Sequence, residues 1–117
     1  MANPSTTGTG TEVPRRFYYD ATGSSVRSIL TVAANHIYLV KTIIIHDRSD
    51  VATSAFDLEI DYDGGGTAIK IINDQTIGTK GTFVSNDVFA LTAGDILKLT
   101  ASHDTDVLGF YIDQDWS

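Results

Sequence analysis

The sequence predicts an all-β domain: an antiparallel β-sandwich, jelly-roll-like, of eight or nine short strands with an extended N-terminal arm. Three observations carry this. From Val26 onward the apolar residues recur with period two and not 3.6. Turn signals built from Gly, Asn, Asp and Ser return roughly every 8–12 residues. No segment shows the apolar stripe of an amphipathic helix, and no internal repeat of fixed period is visible.

The elements follow in order. Met1–Gly10 (MANPSTTGTG) is small, polar and unable to form a core. Val13–Asp20 (VPRRFYYD) adds two arginines and three consecutive aromatics, Phe17, Tyr18 and Tyr19, which need burial somewhere. Ala21–Ser25 is a turn. The arm is therefore residues 1–23 and the single sandwich domain residues 24–117. Val26–Val32 is a strand. His36–His46 (HIYLVKTIIIH) is a long strand, rich in β-branched residues and apolar on both faces near its end. Ala55–Tyr62 is the clearest strand in the chain. Phe56, Leu58, Ile60 and Tyr62 alternate with Asp57, Glu59, Asp61 and Asp63, the pattern of a half-buried strand with a polar outer face.

Gly64-Gly65-Gly66 turns the chain, for which glycine's access to positive φ is suited. Thr67–Ile72 is a strand and Asn73–Gly81 a loop. Thr82–Ser85 and Val88–Leu91 are short strands joined at Asn86-Asp87. Ala93-Gly94-Asp95 turns into Ile96–Ser102, with Leu97, Leu99 and Ala101 on one face. Val107–Asp113 closes the sheet, with Leu108, Phe110 and Ile112 alternating. The predicted core is Phe56, Leu58, Ile60, Ile43, Ile45, Leu97, Leu99, Phe110 and Ile112.

Composition bounds the function. The chain has 117 residues, one domain's worth, and no cysteine, which excludes disulfides and thiolate metal sites. Net charge is −7, and residues 1–23 sum to zero, so the body carries all of it. An acidic body repels nucleic acid and anionic membranes and is compatible with a basic protein partner. Met1–Thr11 lacks an apolar h-region, so no secretory signal is predicted. The longest apolar runs, Ile37–Val40 and Ile43–Ile45, fall far short of the roughly 20 residues that span a bilayer.

Candidate chemistry is sparse. The carboxylates Asp57, Glu59, Asp61 and Asp63 share one strand face about 6.6 Å apart, too wide for one small cation to touch all four. Asp61-Tyr62-Asp63-Gly64 imitates the start of a calcium loop but lacks the third ligand and the closing bidentate Glu. A solvated strand face is favoured over a basic partner, and both over calcium. His36 and His46 lie on one strand and hence on one face, about 33 Å apart, and His103 sits in a turn, so no metal site is expected. No Gly-x-Ser-x-Gly elbow and no phosphate-cradling glycine loop supports catalysis, so neither an enzyme nor a cofactor is predicted. Arg15 and Arg16 beside Phe17, Tyr18 and Tyr19 are the candidate partner-binding residues. They are the types enriched at protein interfaces, on the one segment that is not acidic. Packing of these aromatics within the domain is the competing reading. Trp116 is read as pinning the C-terminus.

Three segments, ANHIYLVKTIIIHD (Ala34–Asp47), GTFVSNDVFALTAGDILKLTAS (Gly81–Ser102) and GFYIDQDWS (Gly109–Ser117), carry a resemblance. In order and character they resemble a family of small β-sandwich structural proteins of tailed bacteriophages. The turn Leu91-Thr92-Ala93-Gly94-Asp95-Ile96-Leu97 and the leading stretch GTEVPRRF (Gly10–Phe17) match that pattern. The resemblance implies a non-enzymatic virion component, with capsid decoration or cementing favoured over tail, neck or fibre-associated roles. It also implies partners among other virion proteins, a major capsid or tail protein, and self-association as a homo-oligomer. A carbohydrate- or receptor-binding module is the rival, with Tyr18, Tyr19 or Tyr62 as an aromatic platform; an enzyme comes third.

Overall fold

The computed structural model describes residues 11–21, 26–49, 53–78 and 80–115. Among these are nine strands: β1 (Thr11–Ala21), β2 (Arg27–Thr31), β3 (His36–Asp47), β4 (Thr53–Asp61), β5 (Ala68–Gly78), β6 (Thr82–Ser85), β7 (Phe89–Thr92), β8 (Ile96–Ala101) and β9 (Thr105–Asp115). A single 3-10 turn, Tyr62–Gly64, follows β4. Every pairing is antiparallel, and the strands form two sheets, as the sequence predicts. The first sheet runs β1-β9-β3-β6, with β7 also on β3; the second runs β2-β8-β4-β5.

The core lies between the sheets. The first contributes Phe17, Tyr38, Val40, Ile43, Ile45, Leu91, Val107 and Tyr111, and the second Phe56, Leu58, Ile60, Leu97, Leu99 and Ala101. Each fully buried aliphatic side chain here stabilises the fold by about 1.5–3 kcal/mol. Phe56, Leu58 and Ile60 face inward because their strand neighbours are charged, so β4 has only one apolar face to bury.

Four expectations are corrected. First, residues 11–21 of the expected arm are a strand of the sandwich. β1 pairs with β9 from Thr11↔Asp115 to Ala21↔Thr105 without a break. Phe17 is buried, its ring 6.2 Å from that of Tyr111, which in turn lies 4.5 Å from Tyr38. Residues 1–10 and 22–25, like Trp116, lie outside the described residues.

Second, β9 presents the opposite phase. Val107, Gly109, Tyr111 and Asp113 face inward, while Leu108 and Phe110 are exposed and Ile112 is only half-buried. Both phases of this strand are apolar, so alternation alone did not distinguish them.

Third, β3 carries a bulge. Val40 pairs with Tyr111 and Thr42 with Phe110, leaving Lys41 as the extra residue. Tyr38 and Val40 point inward before it, Ile43 and Ile45 after it, so His36 and His46 lie on opposite faces and not on one. The same edge of β3 receives β7 at Ile37–Val40 and β6 at Ile43–His46. The break between those two strands, residues 86–88, sits beside the bulge.

Fourth, β5 continues through Gly78 where a loop from Asn73 was expected. Gln75 pairs with Phe56 and Ile72 with Leu58, so Asn73 and Asp74 bulge opposite Asp57. Asp74 takes φ +54, and its N–H donates to Asp57 Oδ1 at 2.6 Å. A side chain of the partner strand thus holds the bulge that lets a polar segment stay in the ladder.

Candidate assembly surface

The two outer faces of the sandwich differ in chemistry. On the second sheet, lysines from neighbouring strands answer the carboxylates of β4. Lys70 Nζ lies 3.1 Å from Asp57 Oδ2, and Lys98 Nζ 2.9 Å from Asp61 Oδ2. Asp61 is buried, and its other oxygen accepts the Gly66 N–H at 2.9 Å. The Asp74 N–H and then Lys70 hold the Asp57 carboxyl below its ordinary range; Lys98, ahead of the Gly66 N–H, does the same for Asp61. The solvated acidic stripe is corrected for Asp61, because Lys98 crosses from β8 to cover it. Tyr62 leaves the strand pattern and stands exposed in the 3-10 turn.

The outer face of the first sheet is apolar. Register sets its rows. Tyr18 lies beside Leu108, Leu108 beside Ile44, and Ile44 beside Val84. The next row runs Arg16, Phe110, Thr42, and the one after it Pro14, Ile112, Leu39, Ala90. Tyr18 is 67 % exposed, Val84 51 %, Phe110 44 % and Leu108 43 %. Single exposed apolar residues are ordinary, whereas a contiguous apolar sheet face marks an interaction surface.

Alternation divides the five predicted partner-binding residues. Arg16 and Tyr18 project from this face. Phe17 is buried in the core, and Tyr19 is half-buried against it. Arg15 is half-exposed and tied at Nε to Asp113 Oδ2 at 2.8 Å. The residues that complete the face, Leu108, Phe110, Ile44 and Val84, come from three other strands. The sequence signal for Leu108, Phe110 and Ile44 is that β3 and β9 are apolar in both phases.

Charged groups gather at the two ends of the first sheet. At one end Asp113, buried, accepts from Arg15 and lies 2.6 Å from His36 Nδ1, joining β1, β9 and β3. At the other, Arg48 meets Asp20, Asp106 at 3.2 Å and Asp104 at 4.0 Å. His46 Nδ1 is 3.0 Å from Thr82 Oγ1. Among the described residues no three of His, Cys, Asp and Glu are grouped as a metal site would need, and no helix is long and apolar enough to cross a membrane.

No protein-family model and no curated protein matches the chain. Solved structures do. The T=1 particles derived from infectious bursal disease virus match with a TM-score of 0.60 at 8 % identity, over 92 % of this chain and 32 % of that one. The chain thus spans about a third of the length of the bursal disease virus chains it matches. A chain in the acid-stable capsid of a Helicobacter pylori bacteriophage matches with a TM-score of 0.57 at 11 % identity, over 91 % of this chain and 93 % of that one. The Bacillus endospore appendages, a family of disulfide-linked pili, match with a TM-score of 0.55 at 18 % identity, over 94 % and 93 %. The shared property is the fold. It occurs in viral capsid structures and in a pilus, so it does not single out tailed phages as the sequence resemblance does.

Proposed function

We propose that this chain is a non-enzymatic structural component of a phage particle, with capsid decoration or cementing as its role. The observation that carries the reading is the phage capsid chain that matches it end to end. More than nine-tenths of each chain is covered, so a domain of this size and topology serves as a whole subunit there. The apolar outer face of the first sheet supports the same reading, since a chain that works only in assemblies keeps such a face for its neighbours. The acidic body suits contact with protein and disfavours nucleic acid.

The pilus match favours a second reading, a subunit of a surface filament. This chain has no cysteine, so any filament it formed would be held without disulfides. Cryo-electron microscopy of particles purified from a culture that produces this chain separates the readings. Density for this domain repeated over the capsid surface supports decoration. Density at the tail, neck or fibre moves the assignment to that part of the virion. Absence from purified particles, with filaments formed by the isolated protein, replaces the virion reading with the filament one.

A further inference from the structure

We infer that the free edge of β1 pairs with the same edge of a second copy of this chain. The two strands run antiparallel about a two-fold axis that passes through Tyr18 perpendicular to the sheet, setting Arg16 of each copy against Asp20 of the other. The inference deepens the assembly reading above and rests on it for the premise that the chain works in contact with neighbouring subunits.

Among the described residues the two sheets end in four edges, and three of them are short or irregular, the features that blunt an edge against pairing. β2 has five residues and a bulge at Ile29. β5 bulges twice, at Ile71 and at Asn73–Asp74. Opposite β1, the first sheet ends in two separate four-residue strands, β6 and β7. Only β1 is long and regular. Its eleven residues pair with β9 without a register shift, and no described strand pairs with its other side.

The neighbouring ladders fix which main-chain groups reach that edge. Asp47 donates its N–H to the Gly81 carbonyl and so faces β6, whereas Thr42, Ile44 and His46, one residue out of phase, face β9. Phe110 and Leu108, opposite Thr42 and Ile44, therefore spend their main-chain groups on β3. Arg16 and Tyr18, opposite those two on β1, turn theirs away from β9, and Asp20 shares the phase. Pro14 is in this phase as well, where its missing N–H costs the β1-β9 ladder nothing.

The sequence of β1 chooses the register. A two-fold axis at Tyr18 sets Tyr18 beside its own copy and Arg16 beside Asp20, twice by symmetry. Each of these facing pairs exchanges both of its N–H···O bonds, and Pro14 falls just outside the ladder. An axis at Arg16 sets arginine on arginine and draws Pro14 into the ladder; an axis at Asp20 sets aspartate on aspartate. Axes at Phe17 or Tyr19 leave Arg16 and Asp20 without each other. An axis at Pro14 pairs Arg16 with Glu12 but puts a residue that cannot donate at its centre. Arg48 already holds Oδ1 of Asp20, so Oδ2 is the oxygen that takes the neighbour's guanidinium. The chain carries −7, but Glu12, Arg15, Arg16 and Asp20 leave β1 neutral, so this edge meets its copy without the repulsion of the acidic body. An isologous contact of this kind closes as a dimer.

Leu108 and Val84 lie in the row of Tyr18, one and three strands in from the edge. The chain has no cysteine, so Leu108→Cys and Val84→Cys each provide one site for a nitroxide label. Across the paired edges the two copies of position 108 stand three strand spacings apart, about 14 Å, and those of position 84 seven, about 34 Å. Electron paramagnetic resonance is expected to show dipolar broadening from position 108 and a pulsed dipolar distance longer by about 20 Å from position 84. Equal separations, or the shorter one at position 84, overturn the inference.

Sedimentation velocity supplies the second measurement. Arg16→Asp and Asp20→Lys each weaken the dimer about tenfold at low salt, and an equimolar mixture of the two recovers it, because the mixed pair has opposite charges at both contacts. Asp20→Lys leaves Arg48 with Asp104 and Asp106, and thermal unfolding of each variant checks that its fold is kept. A mixture that associates no more tightly than either variant overturns the inference, as does a wild-type chain that stays monomeric up to about 1 mM. Binding to purified particles is scored in parallel. A monomeric wild-type chain that still decorates particles removes the dimer and leaves the assembly reading standing. A dimer that binds no particle supports the interface and removes that reading.

Discussion

The Phe17 ring lies against the bare backbone of Gly109, its cross-strand partner. A Cβ at position 109 would overlap the ring and come within 2.8 Å of the Thr42 carbonyl oxygen. Gly109 is not among the positive-φ glycines, so what it supplies is space and not an unusual dihedral. This contact fastens β1 to the core and decides which way β9 faces. Gly109→Ala is therefore expected to destabilise the domain by about 1–3 kcal/mol, the cost of overpacking. Combined with Phe17→Leu, it should cost less than the two single changes added, because the smaller side chain vacates the overlap. Urea unfolding measures both, and a neutral Gly109→Ala would show that the ring does not sit there.

The two phases of β9 make a second comparison. Tyr111 is buried between Phe17 and Tyr38, whereas Phe110 is exposed. Tyr111→Ala should cost about 3–5 kcal/mol and Phe110→Ala about 1 kcal/mol or less. Leu58→Ala, in the centre of the second sheet, should fall in the range of about 2–5 kcal/mol. Equal losses at positions 110 and 111, measured by chemical denaturation, would contradict the inward phase described here.

Removing Met1–Asp20 takes away nearly all of β1. It deletes Phe17 from the core, uncovers an apolar β9 and leaves that strand as a sheet edge. The truncated protein is expected to lose cooperative thermal unfolding or to aggregate. A shortened domain with an unchanged melting temperature would mean that β1 is dispensable and the segment is an arm after all.

Acid stability follows from Asp57 and Asp61. Both titrate below the ordinary carboxylate value, Asp57 chiefly through the Asp74 N–H and Asp61 chiefly through Lys98. An unfolded aspartate titrates near 3.9. Their contribution is fully present above that pH and is lost as pH falls through the lower folded values. The melting temperature should be nearly level from pH 7 to about 5 and decline below about 4. In the Asp57→Asn, Asp61→Asn double variant the decline should be shallower. An identical acid slope in the variant would assign the effect to other carboxylates.

Part of this architecture was legible from residue order. In β4 the charged partners Asp57 and Glu59 leave Phe56, Leu58 and Ile60 only one way to face, and the structure agrees. In β8 the same logic holds for Leu97 and Leu99. The candidate surface was half legible. Arg16 and Tyr18 were marked by residue type, but Phe17 and Tyr19 were marked with them, since a list of neighbours does not show that a strand divides them between two faces. The other half, Leu108, Phe110, Ile44 and Val84, was hidden in runs that read equally as core. The bulge at Lys41 was invisible for a related reason: HIYLVKTIIIH stays largely apolar across it, so the phase change leaves no mark in the pattern.

By itself, the sequence determined the class of fold, the absence of any covalent staple, and the orientation of each strand that has one polar and one apolar face. Alternation is a local property, and burial cost settles it within a few residues. Tertiary structure alone decided the rest: that residues 11–21 join the sheet, that β9 turns Leu108 and Phe110 outward, and that Asp61 is buried beneath Lys98. Where both faces of a strand are apolar, burial is equally favourable either way, and the choice passes to distant partners. Here the partner is Phe17, whose ring fits only where residue 109 has no side chain.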